Sequence, residues 1–230
     1  MVEFFFQNQK TLIAELADQV VQALEKGIVQ HGRASLAVSG GSTPQPLFRE
    51  LTRRDLCWEK VVITLVDERW VSPSDPASNE HLVRQYLLQG RAAAARFVGL
   101  KNDAPTAQEG EIQCEEELGK IPRPFTALIL GMGNDGHTAS LFPGSAQLGA
   151  ATDMNSGKNC MAVTPVDALH ERMTLTLPAL LDSQQIILHI IGQEKKAVLE
   201  QAQAEGTATE MPILFMLRQQ ERPVNIYWAP

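Results

Sequence analysis

Residues 125–130, FTALIL, form a short, mostly apolar run that leads into a glycine-rich segment, GMGNDGH, at residues 131–137. A short run without alternation of polar and apolar side chains is typical of a central strand in a parallel sheet. Segments of similar character predict further strands on either side of it in the chain. They cover residues 35–38, 61–66, 185–191 and 224–228.

Helical patterns precede and separate these strands. Apolar residues three and four positions apart predict an amphipathic helix over residues 9–30, which Gly32 ends. Shorter helices are predicted over residues 44–53, 78–89, 106–119, 193–204 and 212–220. The alternation predicts an α/β fold, a doubly wound and mostly parallel sheet with helices packed on both faces.

Two other segments complete the predicted architecture. Residues 172–177, RMTLTL, alternate in polarity and predict an added strand that is antiparallel or at an edge of the sheet. Residues 143–158 are rich in Gly, Ala, Ser and Asn and predict the longest loop. No repeat or Pro/Ser-rich linker divides the sequence, so we expect a single domain covering residues 1–230.

The composition excludes several classes of function. The 27 acidic residues exceed the 20 basic ones and leave a net charge of -7, which argues against a nonspecific nucleic-acid partner but not against a small anion. Three cysteines without a CxxC pair indicate neither a disulfide framework nor a zinc site. Without a secretory signal or a run of about 18 apolar residues, we expect a cytoplasmic protein with no membrane partner.

Ligands of such sheets bind beyond the carboxyl ends of the strands, and three predicted strand ends carry unusual polar sequences. The first is SGGSTP, residues 39–44. Its glycines allow a tight turn, Ser42 and Thr43 offer hydroxyls and a helix cap, and free amides at a helix start favour a phosphate. An ordinary glycine turn with a helix cap explains the same residues equally well.

The second strand end is the segment Asp67-Glu68-Arg69. Its carboxylates could perform acid/base work, and Arg69 could bind a substrate oxygen or a phosphate. A solvated Glu-Arg pair at the entrance to a loop is the structural alternative, and for this segment in isolation it is the stronger one.

The third strand end contains GxGxxG within residues 131–143, a pattern found in dinucleotide sites. We reject that interpretation because Pro143 would stop the following helix after about two turns. No carboxylate stands at a strand end about 20 residues later. His137 instead offers a general base, since unperturbed histidine has a pKa of about 6.5. Asp135, two residues earlier, could orient the imidazole if the backbone geometry allows direct contact.

Taken together, these segments resemble the 6-phosphogluconolactonase family. The residues that carry the resemblance are 39–44, 66–71 with Ser78 and Asn79, 131–143 and 172–177, and their order, spacing and total length all match. The resemblance implies a sugar-phosphate isomerase-like, Rossmann-type fold. It also implies hydrolysis of 6-phosphoglucono-1,5-lactone to 6-phosphogluconate, the second step of the oxidative pentose phosphate pathway, without a metal or organic cofactor. We expect a monomer or small homo-oligomer.

The resemblance also assigns roles to individual residues. His137 is expected to activate water, Arg69 to contact the substrate near the reacting centre, and Asp135 to support the site. Asp67 and Glu68 are possible supporting residues. The expected phosphate-binding residues are Ser39, Gly40, Gly41, Ser42, Thr43, Arg172 and Lys195. The alternative for Arg172 and Lys195 is that each is a surface charge.

Two other functions remain as alternatives. Glucosamine-6-phosphate deaminases have similar segments, but that family carries a glutamate five residues after its histidine, where this chain has Phe142. A non-catalytic sugar-phosphate sensor would use the same fold as a binding module. Such regulators commonly carry a DNA-binding helix-turn-helix segment, which the single helix predicted over residues 9–30 does not supply.

Overall fold

Seven parallel strands form the main sheet of the protein, whose computed structural model describes residues 1–166 and 169–230. In chain order they are β1 (Val2–Phe5), β2 (Ala34–Val38), β3 (Val61–Leu65), β5 (Arg96–Val98), β6 (Ala127–Leu130), β9 (Ile186–Ile191) and β10 (Val224–Ala229). Their order in the sheet is β1-β10-β9-β6-β2-β3-β5. The strand that contains residues 127–130 of FTALIL is the middle one of the seven.

A smaller antiparallel sheet contains β4 (Asp67–Arg69), β7 (Cys160–Val163) and β8 (Arg172–Leu175), with β8 in the centre. Val66 connects the two sheets. Its N–H donates to the carbonyl of Val38 in the main sheet at 3.0 Å, and its carbonyl accepts from the N–H of Leu175 at 2.8 Å. The chain therefore passes from β3 into β4 directly at the carboxyl edge of the main sheet.

Eight α-helices lie within the described ranges. They are α1 (Gln9–His31), α2 (Gln45–Leu51), α3 (Asn79–Tyr86), α4 (Ala107–Leu118), α5 (Leu148–Ala151), α6 (Leu177–Leu181), α7 (Gln193–Glu205) and α8 (Ile213–Leu217). Two short 3-10 helices cover Trp58–Lys60 and Gly90–Ala94. Among the described helices, none is both long enough and apolar enough to cross a membrane.

The longest helix, α1, shows how the sequence determines an element. The side chain of Asn8 accepts from the N–H of Thr11 at 2.9 Å and caps the first turn. Gly32 ends the helix with φ at 74°, a left-handed conformation that favours glycine. Leu16 and Leu24, on the inner face, are fully buried, and each such leucine contributes about 2 kcal/mol to folding.

The predicted doubly wound, mostly parallel sheet is confirmed. The predicted segments 35–38, 61–66, 125–130, 185–191 and 224–228 all contain strands, within a few residues of their predicted ends. The predicted helices are also present, although those at 44–53, 78–89 and 212–220 are shorter. The segment at 172–177 is antiparallel as expected, but its strand ends at Leu175 and lies at the centre of the small sheet.

Two local predictions are wrong. The segment before Pro143 does not form a two-turn helix, because Ala139 has a left-handed φ of 48° and the hydroxyl of Thr138 bonds back to the carbonyl of Gly131 at 2.8 Å. The side chains of Ser42 and Thr43 do not cap α2, which begins at Gln45 with Pro44 as its capping residue. The predicted loop at 143–158 contains the single turn α5.

Candidate active site

A cleft of about 300 Å³ lies beyond the carboxyl ends of β2, β6 and β9. Its walls contain residues of all three strand ends singled out in the sequence: residues 39–43, Arg69 and His137. Lys195, near the start of α7, completes one side. The volume is at the lower end of the range for small-molecule sites.

The first and third strand ends are tied together by Ser39. Its Oγ donates to the carbonyl of Ile129 at 3.0 Å and accepts from the N–H of Gly131 at 3.1 Å. Beside it, Gly40 is packed so closely that a Cβ would lie 1.9 Å from Oδ1 of Asn79. A larger residue at position 40 would displace Asn79, so the close approach of the two elements requires glycine.

Asp135 contacts His137 directly. Oδ1 of Asp135 lies 2.5 Å from Nδ1 of the imidazole and 3.1 Å from the backbone nitrogen of His137. Gly136, with φ at 76°, provides the turn that brings the two side chains together. Because the carboxylate can only accept, we place the proton on Nδ1, which leaves Nε2 with a lone pair available to a ligand.

The electrostatic balance at Asp135 favours its ionised form. Burial works in the opposite direction, but the hydrogen bonds and charge of His137 outweigh it and hold the pKa of Asp135 below its ordinary value. A carboxylate beside Nδ1 stabilises the imidazolium that forms when Nε2 takes a proton. In this pair, His137 can act as the base, and the carboxylate of Asp135 orients it.

Two neighbours restrict the ring of His137. The ring of Phe142 lies against it, with centroids 4.5 Å apart and planes inclined by 37°. On another side, a Cβ at Gly133 would lie only 2.1 Å from Nδ1 of His137. Any side chain at position 133 would therefore clash with the imidazole, so the position of the ring requires a glycine there.

Glu68 is fully buried and organises the segment that follows β4. Its carboxylate accepts from the backbone N–H groups of Arg69, Asn79 and Glu80, each at 2.7 Å, and from the hydroxyl of Ser78 at 2.9 Å. Burial raises the pKa of Glu68, and these hydrogen bonds act against that rise. Glu68 holds the start of α3 and the backbone of Arg69 in place; it does not line the cleft.

Arg69 and Arg172 lie opposite each other on β4 and β8. Arg69 donates from Nη1 to the carbonyl of Ala77 at 2.6 Å, and Arg172 donates from Nη1 to that of His170 at 2.8 Å. Neither guanidinium forms an ion pair with a described carboxylate. Burial and then the charge of Arg69 lower the pKa of Arg172, while the charges of Asp67 and Glu68 act against that shift.

Asp67 lines the cleft and is fixed from two directions. Its Oδ2 accepts from the hydroxyl of Ser140 at 2.6 Å, and its backbone carbonyl accepts from Nδ2 of Asn79 at 2.8 Å. Asn79 lines the cleft as well, and its buried Oδ1 has no hydrogen-bond partner among the described residues. Asn79 had no predicted role, although its position directly after Ser78, in the segment that follows Asp67-Glu68-Arg69, was a signal of one.

Lys195, a predicted phosphate-binding residue, lies at the cleft. Its Nζ contacts Oδ1 of Asn134, which places the ammonium near the glycine-rich turn. Burial lowers the pKa of Lys195, while the charges of Glu194 and Asp135 act against that shift. Within residues 1–166 and 169–230, no group of three or more His, Cys, Asp or Glu side chains is placed to hold a metal ion.

Comparison with known proteins identifies the family. Residues 7–228 match the family model described as "Glucosamine-6-phosphate isomerases/6-phosphogluconolactonase". The chain belongs to this family. Within it, a 6-phosphogluconolactonase of Rhizobium meliloti (strain 1021) is 45% identical over 98% of this chain and 97% of the relative. One from Pseudomonas putida is 40% identical over 97% of this chain and 90% of the relative.

A solved structure in the family agrees with the fold described above. The crystal structure of a 6-phosphogluconolactonase from Shewanella baltica OS155 superposes with a TM-score of 0.97 at 44% sequence identity. The match covers 100% of this chain and 98% of that chain.

Not every predicted site residue of this family member lies at the cleft. The described lining contains Ser39, Gly40, Gly41, Ser42, Thr43, Asp67, Arg69, His137 and Lys195. Asp135 is not part of this lining but contacts His137, and Arg172 lies opposite Arg69 on the neighbouring strand. His189 of β9 also lines the cleft, a position that the sequence did not predict. An apolar strand interrupted by one histidine was the only signal.

Proposed function

We propose that the protein hydrolyses 6-phosphoglucono-1,5-lactone to 6-phosphogluconate. The single observation that carries the proposal is the contact between His137 and Asp135 in a cleft that also presents Arg69 and Lys195. The names of the full-length relatives at 40–45% identity support the substrate.

In the proposed reaction, Nε2 of His137 accepts a proton from water as the water oxygen attacks the lactone carbonyl. The bond to the attacking oxygen forms, the carbonyl π bond opens, and a tetrahedral oxyanion results. Arg69 stabilises this oxyanion. When the carbonyl re-forms, the ring oxygen leaves and takes the proton from the imidazolium, which returns His137 to its starting state.

Asp135 supports this cycle without reacting itself. It keeps the proton of the neutral imidazole on Nδ1 and lies beside the positive charge that appears when Nε2 is protonated. A lactone is an activated ester, so a positioned water, one base and one oxyanion donor are sufficient, and a covalent nucleophile is not needed.

The 6-phosphate is proposed to lie against residues 39–43 and Lys195. The glycine-rich loop allows backbone N–H groups to approach an anion, and Gly41 has a left-handed φ of 92°. Lys195 supplies a positive charge at the cleft, and Arg172 adds to the field through its position beside Arg69. Asp67 and Glu68 hold the surrounding loops in place.

Phe142 favours hydrolysis over the deaminase alternative. In that alternative a carboxylate at this position opens the sugar ring, whereas Phe142 packs an apolar ring on His137. The sensor alternative predicts binding without turnover. A direct assay therefore separates all three functions.

We also propose that residues 1–230 act as one domain in the cytoplasm, as a monomer or small homo-oligomer whose partner is the phosphorylated lactone. The span of the family model, residues 7–228, supports the single domain.

The test generates the lactone enzymatically from glucose 6-phosphate and follows its disappearance with and without the protein. We expect decay to accelerate in proportion to the protein added, with formation of one acid equivalent per lactone. Decay at the spontaneous rate would refute hydrolysis, and release of ammonia from glucosamine 6-phosphate would favour the deaminase alternative.

A further inference from the structure

His189 is an unusual residue in β9. It is 2% exposed and lies in an apolar strand, with Leu188 before it and Ile190 after it. Neither ring nitrogen has a hydrogen-bond partner among the described residues. A neutral imidazole carries one N–H donor and one acceptor, and burying both without partners destabilises the folded chain.

His189 also lines the proposed substrate cleft. It follows Leu188, whose partner across the sheet is Leu130, and the residue after Leu130 is the cleft residue Gly131. A Cβ built at Gly131 meets no described atom within 4 Å, so open space lies over the strand end beside His189. His189 therefore lies at the strand end that borders this space.

The surroundings of His189 indicate which part of a substrate lies near it. The strand that carries His189 ends two residues before Gln193, where α7 begins, and Lys195 of α7 lines the same cleft. Residues 39–43 form another wall. These are the groups assigned above to the phosphate, and a phosphate oxygen is a strong acceptor for an N–H donor.

We propose that His189 is a phosphate-binding residue whose ring N–H donates a hydrogen bond to a phosphate oxygen of the substrate. The proposal rests on the proposed function for the identity of the substrate, but the phosphate contact is testable by itself. It explains why a histidine, and not another leucine or isoleucine, occupies this buried position: the bound anion supplies the missing partner.

The contribution of His189 differs from that of Lys195. Burial lowers the pKa of His189 to about 4, so the ring stays neutral near neutral pH. It supplies a directional donor without adding a charge that would have to be buried when the cleft is empty. Lys195 and the arginines supply the charge.

The experiment measures binding of inorganic phosphate and of 6-phosphogluconate to wild type, His189→Leu and His189→Gln, together with steady-state kinetics on the lactone. Ile187→Val is the matched control, because Ile187 is a fully buried residue of the same strand. We expect His189→Leu to weaken binding of both anions and to raise KM about tenfold, the loss of one hydrogen bond to a charged group. We expect kcat to change by less than about twofold, and His189→Gln to recover part of the affinity.

A second measurement uses wild type alone. In imidazole nitrogen–proton NMR spectra, the ring signals of His189 are expected to shift on addition of inorganic phosphate. Unchanged anion affinity in a folded His189→Leu variant, or ring signals that do not respond to phosphate, would overturn the proposal. If the wild type binds phosphate but does not hydrolyse the lactone, the proposed function is refuted. The role of His189 then depends only on the measured affinities of the variants for phosphate and 6-phosphogluconate.

Discussion

The carboxylate of Asp135 lies 2.5 Å from Nδ1 of His137, in a turn where only one residue separates them. The left-handed Gly136 makes this contact possible, and Gly133 leaves room for the ring. The arrangement fixes the proton on one ring nitrogen and leaves the other as a base. Arg69 and Arg172, opposite each other on β4 and β8, form a cationic wall.

Asp135→Asn tests the orienting role. The amide keeps the size of the side chain but removes the charge that stabilises the imidazolium, so we expect kcat to fall roughly 100-fold with KM changed by less than about twofold. Steady-state kinetics on the lactone measure both values. Asp153→Asn, an exposed residue of the 143–158 segment, is the control and should behave as wild type. A normal kcat in Asp135→Asn would remove this carboxylate from the mechanism.

Phe142→Ala tests whether packing holds the base in place. Without the ring that lies 4.5 Å from the imidazole, His137 can rotate away from Asp135, and we expect kcat to fall about tenfold. Phe142→Leu, which retains apolar packing, should lose less. Equal losses in the two variants would mean that the orientation of His137 does not depend on this contact.

Arg172→Met tests the electrostatic contribution of the cationic wall. It removes a largely buried charge beside Arg69 and preserves much of the volume. We expect KM to rise about fivefold with little change in kcat, since this charge attracts the substrate without contacting the reacting atoms, and we expect stability to be kept. Kinetics at two salt concentrations, with thermal unfolding, measure these effects.

Arg123→Met is the matched control for that variant. Arg123 is ion-paired with Asp182 at 2.7 Å, and its removal leaves that carboxylate without its partner. It should lower stability and leave KM unchanged. If Arg172→Met and Arg123→Met change KM equally, the change in Arg172→Met does not come from the loss of a positive charge near the cleft.

Glu68→Gln tests the support of the Arg69 segment. The neutral amide can satisfy fewer of the four donors that converge on Glu68, so we expect the free energy of unfolding to fall by about 2 kcal/mol. We expect catalysis to weaken as well, because the backbone of Arg69 loses an anchor. Urea denaturation measures the first effect. Glu59→Gln, which changes an exposed carboxylate, is the control. If the free energy of unfolding falls by the same small amount in both variants, Glu68 does not support the Arg69 segment.

The acid sensitivity of the fold provides a prediction for His189. Its pKa is lowered to about 4 in the folded state, from 6.5 in the unfolded chain, so below pH 6.5 the unfolded chain binds the proton first. Stability is therefore lost as pH falls from about 6.5 towards 4, by up to about 3 kcal/mol. His189→Leu should lack this loss. If the free energy of unfolding depends on pH in the same way in wild type and in His189→Leu, this prediction is wrong.

The parallel sheet was predictable because its central strands are apolar on both faces, as FTALIL shows. β4 was not, since Asp67-Glu68-Arg69 has no apolar pattern; it becomes a strand by pairing with β8, about a hundred residues later in the chain. The exposed edge strand β1 was missed because its side chains carry no burial pattern. Local patterns therefore predict buried strands and miss those defined by a distant partner.

The cleft shows the same limit. The residues of its three loops were predicted because strand ends of a parallel sheet meet at one edge. The direct contact of Asp135 with His137 was left open, because it depends on the left-handed turn at Gly136. His189 could not be assigned a role, since only the fold reveals that a buried strand residue borders the cleft.

The central claim is that His137 activates water while the phosphate is held by other groups, and His137→Ala tests it most directly. The measurement pairs kcat on the lactone with the dissociation constant of 6-phosphogluconate for the same protein. We predict that kcat falls by roughly a thousandfold while the dissociation constant changes by less than about threefold. A His137→Ala variant that retains wild-type turnover would contradict the account.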